Sequence, residues 1–310
     1  MFKLSIVIPV YNSENSIKYL VDLLIKSIYE YKLEIILVND GSMDKSEMIC
    51  IELHNSYPEE VLFFSLAKNV GEHNAVMAGL NNSSGDYVVI MDDDFQNPVS
   101  EVIKLANEIS SNDVDVVYTY YQKKKHHFFR NLGSKFNDRV ANLMLGKPKD
   151  LYLSSFKAMN AFLVKEVIKY QLPFPYLDGL ILRTTDKIGK IEVEHNKREN
   201  GQSGYTFTKL VSLWSNMFVN FSILPLRLSI ILGFLSAIVG FTFSVLTIVE
   251  KINNPNLPVG YSLTIILISI FSGVLLISIG VLGEYLGRMF LSQTNKPQYT
   301  IRKEFSRKES

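Results

Sequence analysis

Along the first hundred residues, short apolar runs rich in β-branched side chains alternate with longer segments whose apolar positions recur every three or four residues. The runs are LSIVIPVY, LEIILVND, VLFFSL and DYVVIMD, and the segments between them are residues 16–31, 44–57 and 72–81. Compact β-branched runs mark strands, a period near 3.6 marks helices, and their alternation predicts an α/β domain with a mostly parallel sheet covered by helices on both faces. Farther along, residues 128–145 predict a helix, 150–169 a strand or loop followed by a helix, and 188–194 a strand returning toward the sheet.

The pattern changes near residue 222. Residues 228–249 and 259–283 contain no Asp, Glu, Lys or Arg. A helix of 22 residues reaches about 33 Å, which matches the roughly 30 Å hydrocarbon core of a bilayer. Two membrane spans follow. Just before them, Phe207, Leu210, Trp214, Phe218 and Phe221 recur at helical spacing, with Lys209, Ser212, Ser215 and Asn216 between. This predicts an amphipathic helix in the membrane interface, although a buried helix would show the same spacing. The expected organisation is a globular catalytic domain over 1–205, an interfacial helix over 206–226, a two-helix transmembrane domain over 227–287, and a basic cytoplasmic tail over 288–310, of which about the last dozen residues read as disordered and attracted to anionic lipid.

Charge adds orientation. Arg227 precedes the first span; Arg288, Lys296, Arg302, Lys303, Arg307 and Lys308 follow the second; the connecting loop carries only Lys251. Basic residues stay inside, so both termini and the catalytic domain are expected in the cytoplasm, at the plasma (inner) membrane. The N-terminal MFKLSIVIPVYN runs straight into a strand pattern, without the long apolar region of a signal peptide. The net charge of +1 does not point to nucleic acid, and the single Cys50 has no partner for an intramolecular disulfide, so burial is expected. Gly233, Ala237, Gly240, Gly273 and Gly280 permit close helix packing and with it a homo-oligomer, though glycines facing lipid would read the same.

The chemistry clusters at strand ends. Tyr11-Asn12, Asn39-Asp40-Gly41-Ser42 and Asp92-Asp93-Asp94 each follow an apolar run, where ligands of parallel sheets bind. Alternation along the last strand puts Asp92 and Asp94 on one face and turns Asp93 away. Two such carboxylates suit Mg²⁺ or Mn²⁺, with Gln96 adding a neutral oxygen, and the ion would neutralise charge on a departing nucleoside diphosphate. A solvated acidic turn accounts for the same letters. Asp40 and Gly41 suit recognition of a base or ribose, because a carboxylate accepts from N–H and hydroxyl donors and glycine lets the backbone approach; an Asx turn is the alternative. Arg198, ahead of the interfacial helix, suits bidentate grip of a lipid phosphate.

Taken in order, Ile6-Val7-Ile8-Pro9-Val10-Tyr11-Asn12, Asn39-Asp40-Gly41-Ser42, Asn69-Val70-Gly71 with Ala75 and Gly79, Gly85-Asp86 and Met91-Asp92-Asp93-Asp94-Phe95-Gln96-Asn97-Pro98 resemble family 2 glycosyltransferases. Arg198-Glu199-Asn200-Gly201-Gln202-Ser203-Gly204-Tyr205, the interfacial helix and the two spans narrow the resemblance to polyprenyl-phosphate glycosyltransferases. The resemblance implies a GT-A nucleotide-diphospho-sugar transferase fold and metal-dependent, inverting transfer from a nucleotide-sugar, a UDP-hexose, to undecaprenyl phosphate, for modification of cell-envelope glycans. It assigns Pro9, Val10, Tyr11, Asn12, Asn39, Asp40, Ser42, Asn69, Asp92 and Asp93 to the nucleotide, and Asp92, Asp94 and Gln96 to metal and diphosphate. Arg198 and Ser203 fall to the phosphates near the membrane; apart from the resemblance, Arg130 and Arg139 on the 128–145 helix are candidates to close over a diphosphate, and a solvated charged face reads the same.

One departure stands out. Members of the resembled family often carry Asp-Phe-Arg where this chain has Ser154-Ser155-Phe156-Lys157, so a carboxylate assigned elsewhere as base is missing. An acceptor phosphate with a second pKa near 6 is largely a dianion at pH 7, so little proton abstraction is required. Ser155 and Lys157 are then candidates to position that phosphate, and Asp178 to reach the acceptor or the donor sugar. A catalytically silent accessory protein is the competing class. A polysaccharide synthase is a third, disfavoured by two spans and by Trp214 being the only tryptophan.

Overall fold

The structure is a computed structural model that describes residues 2–121, 148, 151–173, 175–194, 224–254, 261–293 and 297–306. The chain forms two compact units, Met1–Gly204 together with Lys296–Ser310, and Tyr205–Asn295.

In the first unit, β1 (Lys3–Val10), β2 (Lys32–Asn39), β3 (Val61–Leu66) and β4 (Tyr87–Ile90) arise from the four apolar runs. They are followed by β5 (Val116–Tyr120), β6 (Lys157–Asn160), β7 (Ile188–Glu192) and β8 (Ile301–Phe305). One sheet holds all eight in the order β7-β5-β6-β4-β1-β2-β3-β8. Pairing is parallel through β4-β1-β2-β3 and between β5 and β7, and antiparallel where β6 and β8 join. Helices α1 (Ile17–Ser27), α2 (Ser46–Ser56), α3 (Glu72–Asn81) and α4 (Val99–Ser111) connect the first five strands. Short helices α5 (Ala161–Val167) and α6 (Leu177–Thr184) precede β7.

Apolar side chains of α1, α2 and α4, Cys50 among them, join Ile6, Ile8, Ile35 and Leu37 in the main core. Helix α3 packs elsewhere: a Cβ on Gly79 would come within 2.3 Å of Val7, whose side chain alternates away from Ile6 and Ile8. The sheet is therefore covered on both faces, which is why β1, β2 and β3 read as almost continuous apolar runs.

At the amino ends of the strands a polar network sets the register. Glu34 is 1% exposed and pairs in register with Ser5. Its carboxylate accepts from Ser5 Oγ at 2.6 Å, Ser84 N at 2.9 Å, Ser84 Oγ at 2.7 Å, and the Lys3 ammonium. A one-residue slip of β1 against β2 would break all of these, because successive side chains point to opposite faces.

The C-terminal residues correct one expectation. Instead of a disordered tail, Ile301–Phe305 forms β8, which pairs with β3 and covers an edge whose side chains are all buried. Phe305 contacts Phe63 and His54, and the Gln298 amide donates to the carbonyls of Tyr170 and Leu172 at 2.7 and 2.9 Å. Three charged residues between Ile301 and Phe305 carry no alternation that marks a strand, and the pairing that makes one is with residues more than 200 positions earlier in the chain.

The second unit contains α7 (Leu224–Asn253) and α8 (Tyr261–Gln293). Both contain stretches long and apolar enough to cross a membrane, Leu226–Asn253 and Ile270–Leu291. Helix α8 takes in the expected 259–283 from Tyr261 onward and continues past Glu284 to Gln293. Side chains such as Ile230, Phe234, Phe241, Leu276 and Phe290 are exposed, the reverse of a buried core helix. Of the glycines singled out above, Gly240 serves helix packing: a Cβ there would meet the Phe271 ring at 2.4 Å, whereas Gly233, Gly273 and Gly280 have nothing within 4 Å.

Burial opposes ionisation of Glu34, but the hydrogen bonds from Lys3, Ser5 and Ser84 outweigh it and hold its pKa below the ordinary value. A depressed carboxylate contributes stability above its unfolded pKa and loses it as pH falls through the folded one. Glu34→Ala is expected to destabilise the protein by about 3 kcal/mol at pH 7 and to flatten the acid limb below about pH 4.3. Thermal unfolding of the full chain against pH checks both, and an unchanged acid limb counts against the assignment.

Candidate active site

Strand β1 lies between β4 and β2, all three parallel, so their carboxyl ends share one edge of the sheet. The order reverses at β1, and ligands of open parallel sheets bind in the crevice at the carboxyl ends of the strands beside such a reversal. The loops after β1 and β4 are residues 11–13 and 91–98, with residues 40–45 following β2 alongside.

The loops after β1 and β2 hold each other. Asn12 N donates to Ser42 Oγ at 3.0 Å and Met43 N to Asn12 Oδ1 at 2.9 Å. Asn12 adopts a left-handed conformation with φ 54°, which Asn tolerates better than most residues. Gly41, with φ 67°, passes so close to the next loop that a Cβ would lie 2.6 Å from Asn69 N. Only glycine fits that approach.

The roles within these loops differ from those expected. Asp40 is 3% exposed, and its two oxygens accept from Val70 N at 2.7 Å and Gly71 N at 2.9 Å, while Asn69 Nδ2 bonds its carbonyl at 3.1 Å. Burial outweighs these bonds and raises its pKa. Asp40 therefore straps the loops together, rather than standing open to a base. Val10 and Asn39 are buried as well: Val10 supplies a carbonyl to Asp40 N, and the Asn39 side chain accepts from Ser42 N at 3.2 Å. Tyr11, Asn12 and Asn69 remain exposed, with Pro9 and Ser42 half-buried beside them.

The acidic turn also departs from expectation. Strand β4 stops at Ile90, so alternation no longer governs Asp92, Asp93 and Asp94, and Phe95 turns left-handed with φ 58° while its ring packs on Tyr19. Asp93 is not turned away. Its Oδ2 accepts from Ser13 Oγ and, at 3.4 Å, from Tyr11 N, which joins the turn to the β1 loop. Asp92 Oδ2 accepts from Ser155 Oγ at 2.8 Å, and Asp94 Oδ1 from Gln96 N at 3.1 Å. Burial, then the charges of Asp92 and Asp94, raise the Asp93 carboxyl to about 6 despite the Ser13 bond.

Behind the turn, β6 places Lys157 opposite Ile90 and Tyr118. Lys157 is 2% exposed and is not a free cation: its ammonium bonds Asp178 Oδ1, which also accepts from Tyr118 OH at 2.8 Å. The ammonium lies 4.9 Å from the centre of the Tyr118 ring. Asp178, at the start of α6, is likewise buried. The pair enters the site as one buried unit. Ser155 is held by its neighbours, since Thr119 Oγ1 bonds Ser154 Oγ and the Phe156 carbonyl at 3.0 and 2.7 Å.

Ser13, Glu72, His73, Tyr118 and Tyr176 complete this region and were not foreseen. Glu72 lies at the amino end of α3 with its side chain exposed; partial desolvation, then the charges of Asp92, Asp178 and Asp93, push its carboxyl above the ordinary value against the opposing Lys157. His73 packs edge-on against Tyr176 at 5.5 Å, and burial lowers its pKa, favouring the neutral ring. The signal available for Glu72 and His73 was a helix start directly after β3; Tyr118 reads as an ordinary core strand residue. Arg130, Arg139, Arg198 and Ser203 lie outside the described residues, as do His126, His127, His195 and most of the expected interfacial helix.

Residues 5–168 match the model of glycosyl transferase family 2. The chain is 32% identical over 305 residues to the undecaprenyl-phosphate 4-deoxy-4-formamido-L-arabinose transferase of Proteus mirabilis, covering 97% of this chain and 93% of the relative. It is 30% identical to the protein of that name from Photorhabdus laumondii, covering 97% and 94%. Among solved structures it is similar to glucosyl-3-phosphoglycerate synthase from Mycobacterium tuberculosis in complex with Mn²⁺, UDP and glucosyl-3-phosphoglycerate. That likeness has a TM-score of 0.51 at 17% identity, over 70% of this chain and 77% of the other, and speaks for the fold.

Removing one member of a buried ion pair strands the other charge. Lys157→Met and Asp178→Leu are each expected to cost about 3 to 5 kcal/mol, whereas the double variant recovers most of the loss. Thermal unfolding of the four proteins measures the coupling, and additive losses would refute the pairing.

Proposed function

The chain belongs to glycosyl transferase family 2, and from that premise we propose that it transfers a sugar, a hexose by our reading, from its UDP derivative to undecaprenyl phosphate, supplying a lipid-linked donor for cell-envelope glycans. The observation that carries this reading is the junction of an acidic turn with the loops after β1 and β2, in a chain that also has two helices apolar enough to cross a membrane. The names of the relatives support the lipid acceptor, and the UDP-bound structural neighbour supports the nucleotide. Those relatives are named for a formamido-pentose, so the hexose rests on the sequence alone.

Tyr11 offers an exposed ring at the rim, Asn12 and Ser42 offer polar atoms, and Gly41 permits close backbone approach. The acidic turn offers hard oxygens of the kind Mg²⁺ and Mn²⁺ take; among the described residues no three His, Cys, Asp or Glu side chains converge on one position, so diphosphate and water would fill most of the ion's coordination. Asp92 and Asp94 would hold it, with Gln96 beside them. When bound, such an ion neutralises charge on the leaving diphosphate.

The chain's own residues arrange the turn. Ser155 fixes one Asp92 oxygen, Ser13 and Tyr11 fix Asp93, and Gln96 N fixes Asp94. A phosphate oxygen of the acceptor attacks the anomeric carbon as the bond to the UDP oxygen breaks on the opposite face, giving inversion. The acceptor is largely a dianion at pH 7, so Ser155 in place of a carboxylate does not prevent attack. Arg130, Arg139, Arg198 and Ser203 are proposed to hold the phosphates, and Lys157 and Asp178 to support the sugar and acceptor side.

The inner membrane is the proposed location. Strand β8 shares a sheet with β1–β3, and two spans lie between them in sequence, so both ends of the pair of spans return to one side. The basic residues flanking the spans favour the cytoplasm for that side. A homo-oligomer within the bilayer is also proposed, with Gly233, Gly273 and Gly280 leaving room for a neighbouring helix.

The full chain in detergent with undecaprenyl phosphate and Mg²⁺ or Mn²⁺ should move label into the lipid phase from one of UDP-glucose, UDP-galactose, UDP-N-acetylglucosamine or the UDP-formamido-pentose. The last arm separates the two sugar classes. Label left in water under every donor would favour the silent accessory reading. Asp94→Ala is expected to lower kcat by about 100-fold or more with unchanged thermal unfolding; near-normal turnover would remove the metal assignment.

A further inference from the structure

Strand β8 does more than cover an edge. In register, Lys303 lies opposite Ser65 of β3, and its ammonium bonds Glu47 Oε1 at 2.6 Å. Glu47 sits in the first turn of α2, just after the loop that begins at Asp40. Its second oxygen accepts from Ser65 Oγ at 3.2 Å and, more weakly, from Asn39 Nδ2 at 3.5 Å. Asn39 Nδ2 also donates to Ser65 Oγ at 3.1 Å.

Asn39 is 1% exposed, and its amide has one donor end and one acceptor end. Glu47 and Ser65 take the donor end, which leaves Oδ1 for Ser42 N at 3.2 Å. Ser42 in turn accepts from Asn12 N at 3.0 Å. An unbroken set of polar contacts therefore runs from the last strand of the chain to the two loops at the rim of the crevice. The Lys303 hydrogen bond is also the leading cause that lowers the Glu47 pKa, so this carboxyl stays ionised and keeps selecting the donor end of Asn39.

We propose that β8 is a positioning element of the donor site, with Lys303 acting through Glu47, Ser65 and Asn39 to hold the Asp40–Ser42 loop in its nucleotide-binding shape. This rests on the reading of that loop as the nucleotide site. None of these residues needs to touch the nucleotide. One consequence concerns assembly: the residues that complete the loop are synthesised after both apolar helices, so the donor site reaches full affinity only when the end of the chain has returned to the sheet.

The test uses the full chain in lipid nanodiscs, UDP with Mn²⁺ as the probe, and calorimetric titration. Lys303 is half-exposed, so Lys303→Ala should fold and shift thermal unfolding by no more than about 2 °C. It is expected to weaken UDP binding by about two- to fivefold and to raise donor KM by a similar factor with kcat unchanged. Lys303→Arg should restore binding, and Lys303→Ala should add nothing in a Glu47→Gln background, because both act along one path. Amide exchange over residues 40–43 should speed up in Lys303→Ala without ligand. Wild-type affinity in Lys303→Ala, or additive losses in the double variant, would overturn the positioning role. Failure of the wild-type chain to bind UDP, GDP, CDP or dTDP would instead overturn the nucleotide reading, and unaltered exchange over 40–43 would then overturn the positioning role by itself.

Discussion

The active-site geometry depends on β1 having a parallel partner on each side. The pairing with β2 delivers residues 40–43 to the same edge as residues 11–13, and the pairing with β4 delivers the acidic turn. Neither loop would face the turn if β4 followed β3 outward. Helix α3 makes the difference, because it crosses on the opposite face from α1 and α2 and returns the chain to the far side of β1. Gly79 lets it lie against Val7, and Glu34 with Lys3, Ser5 and Ser84 locks the register at the other end of the sheet.

Charge in the crevice is unevenly distributed. Asp92, Asp93, Asp94 and Glu72 concentrate negative charge there, while Lys157 is already engaged by Asp178. Such a site suits partners that bring positive charge with them, as a cation with a diphosphate does. In the proposed reaction Ser155 stands where the resembled family often has an acid. Its hydroxyl orients Asp92, and an acceptor that arrives as a dianion needs little help losing a proton.

The two units are interleaved in sequence. The globular unit is interrupted by a pair of apolar helices and then finished by a strand, so its outer sheet edge is closed by residues on the far side of both helices. An edge such as β3, with six buried side chains, would otherwise present open backbone groups for pairing with other chains. With β8 in place the outermost strand instead carries exposed Arg302, Lys303 and Glu304, which disfavour pairing with another chain, and Lys303 carries the contact inward to Glu47.

Local periodicity and composition carry much of this architecture. The four apolar runs became β1–β4, residues 72–81 became α3 with the boundaries its pattern indicated, the uncharged runs became two long helices, and the ordered motifs pointed to family 2. Each of these depends on neighbours along the chain. Tertiary structure decided what depends on contacts distant in sequence. It turned Asp93 toward Ser13, used both oxygens of Asp40 on the Val70–Gly71 backbone, buried Lys157 against Asp178 and Tyr118, and drew the basic tail into the sheet. A motif specifies which groups are present, but whether a carboxylate is open to a ligand or already engaged depends on partners tens to hundreds of residues away.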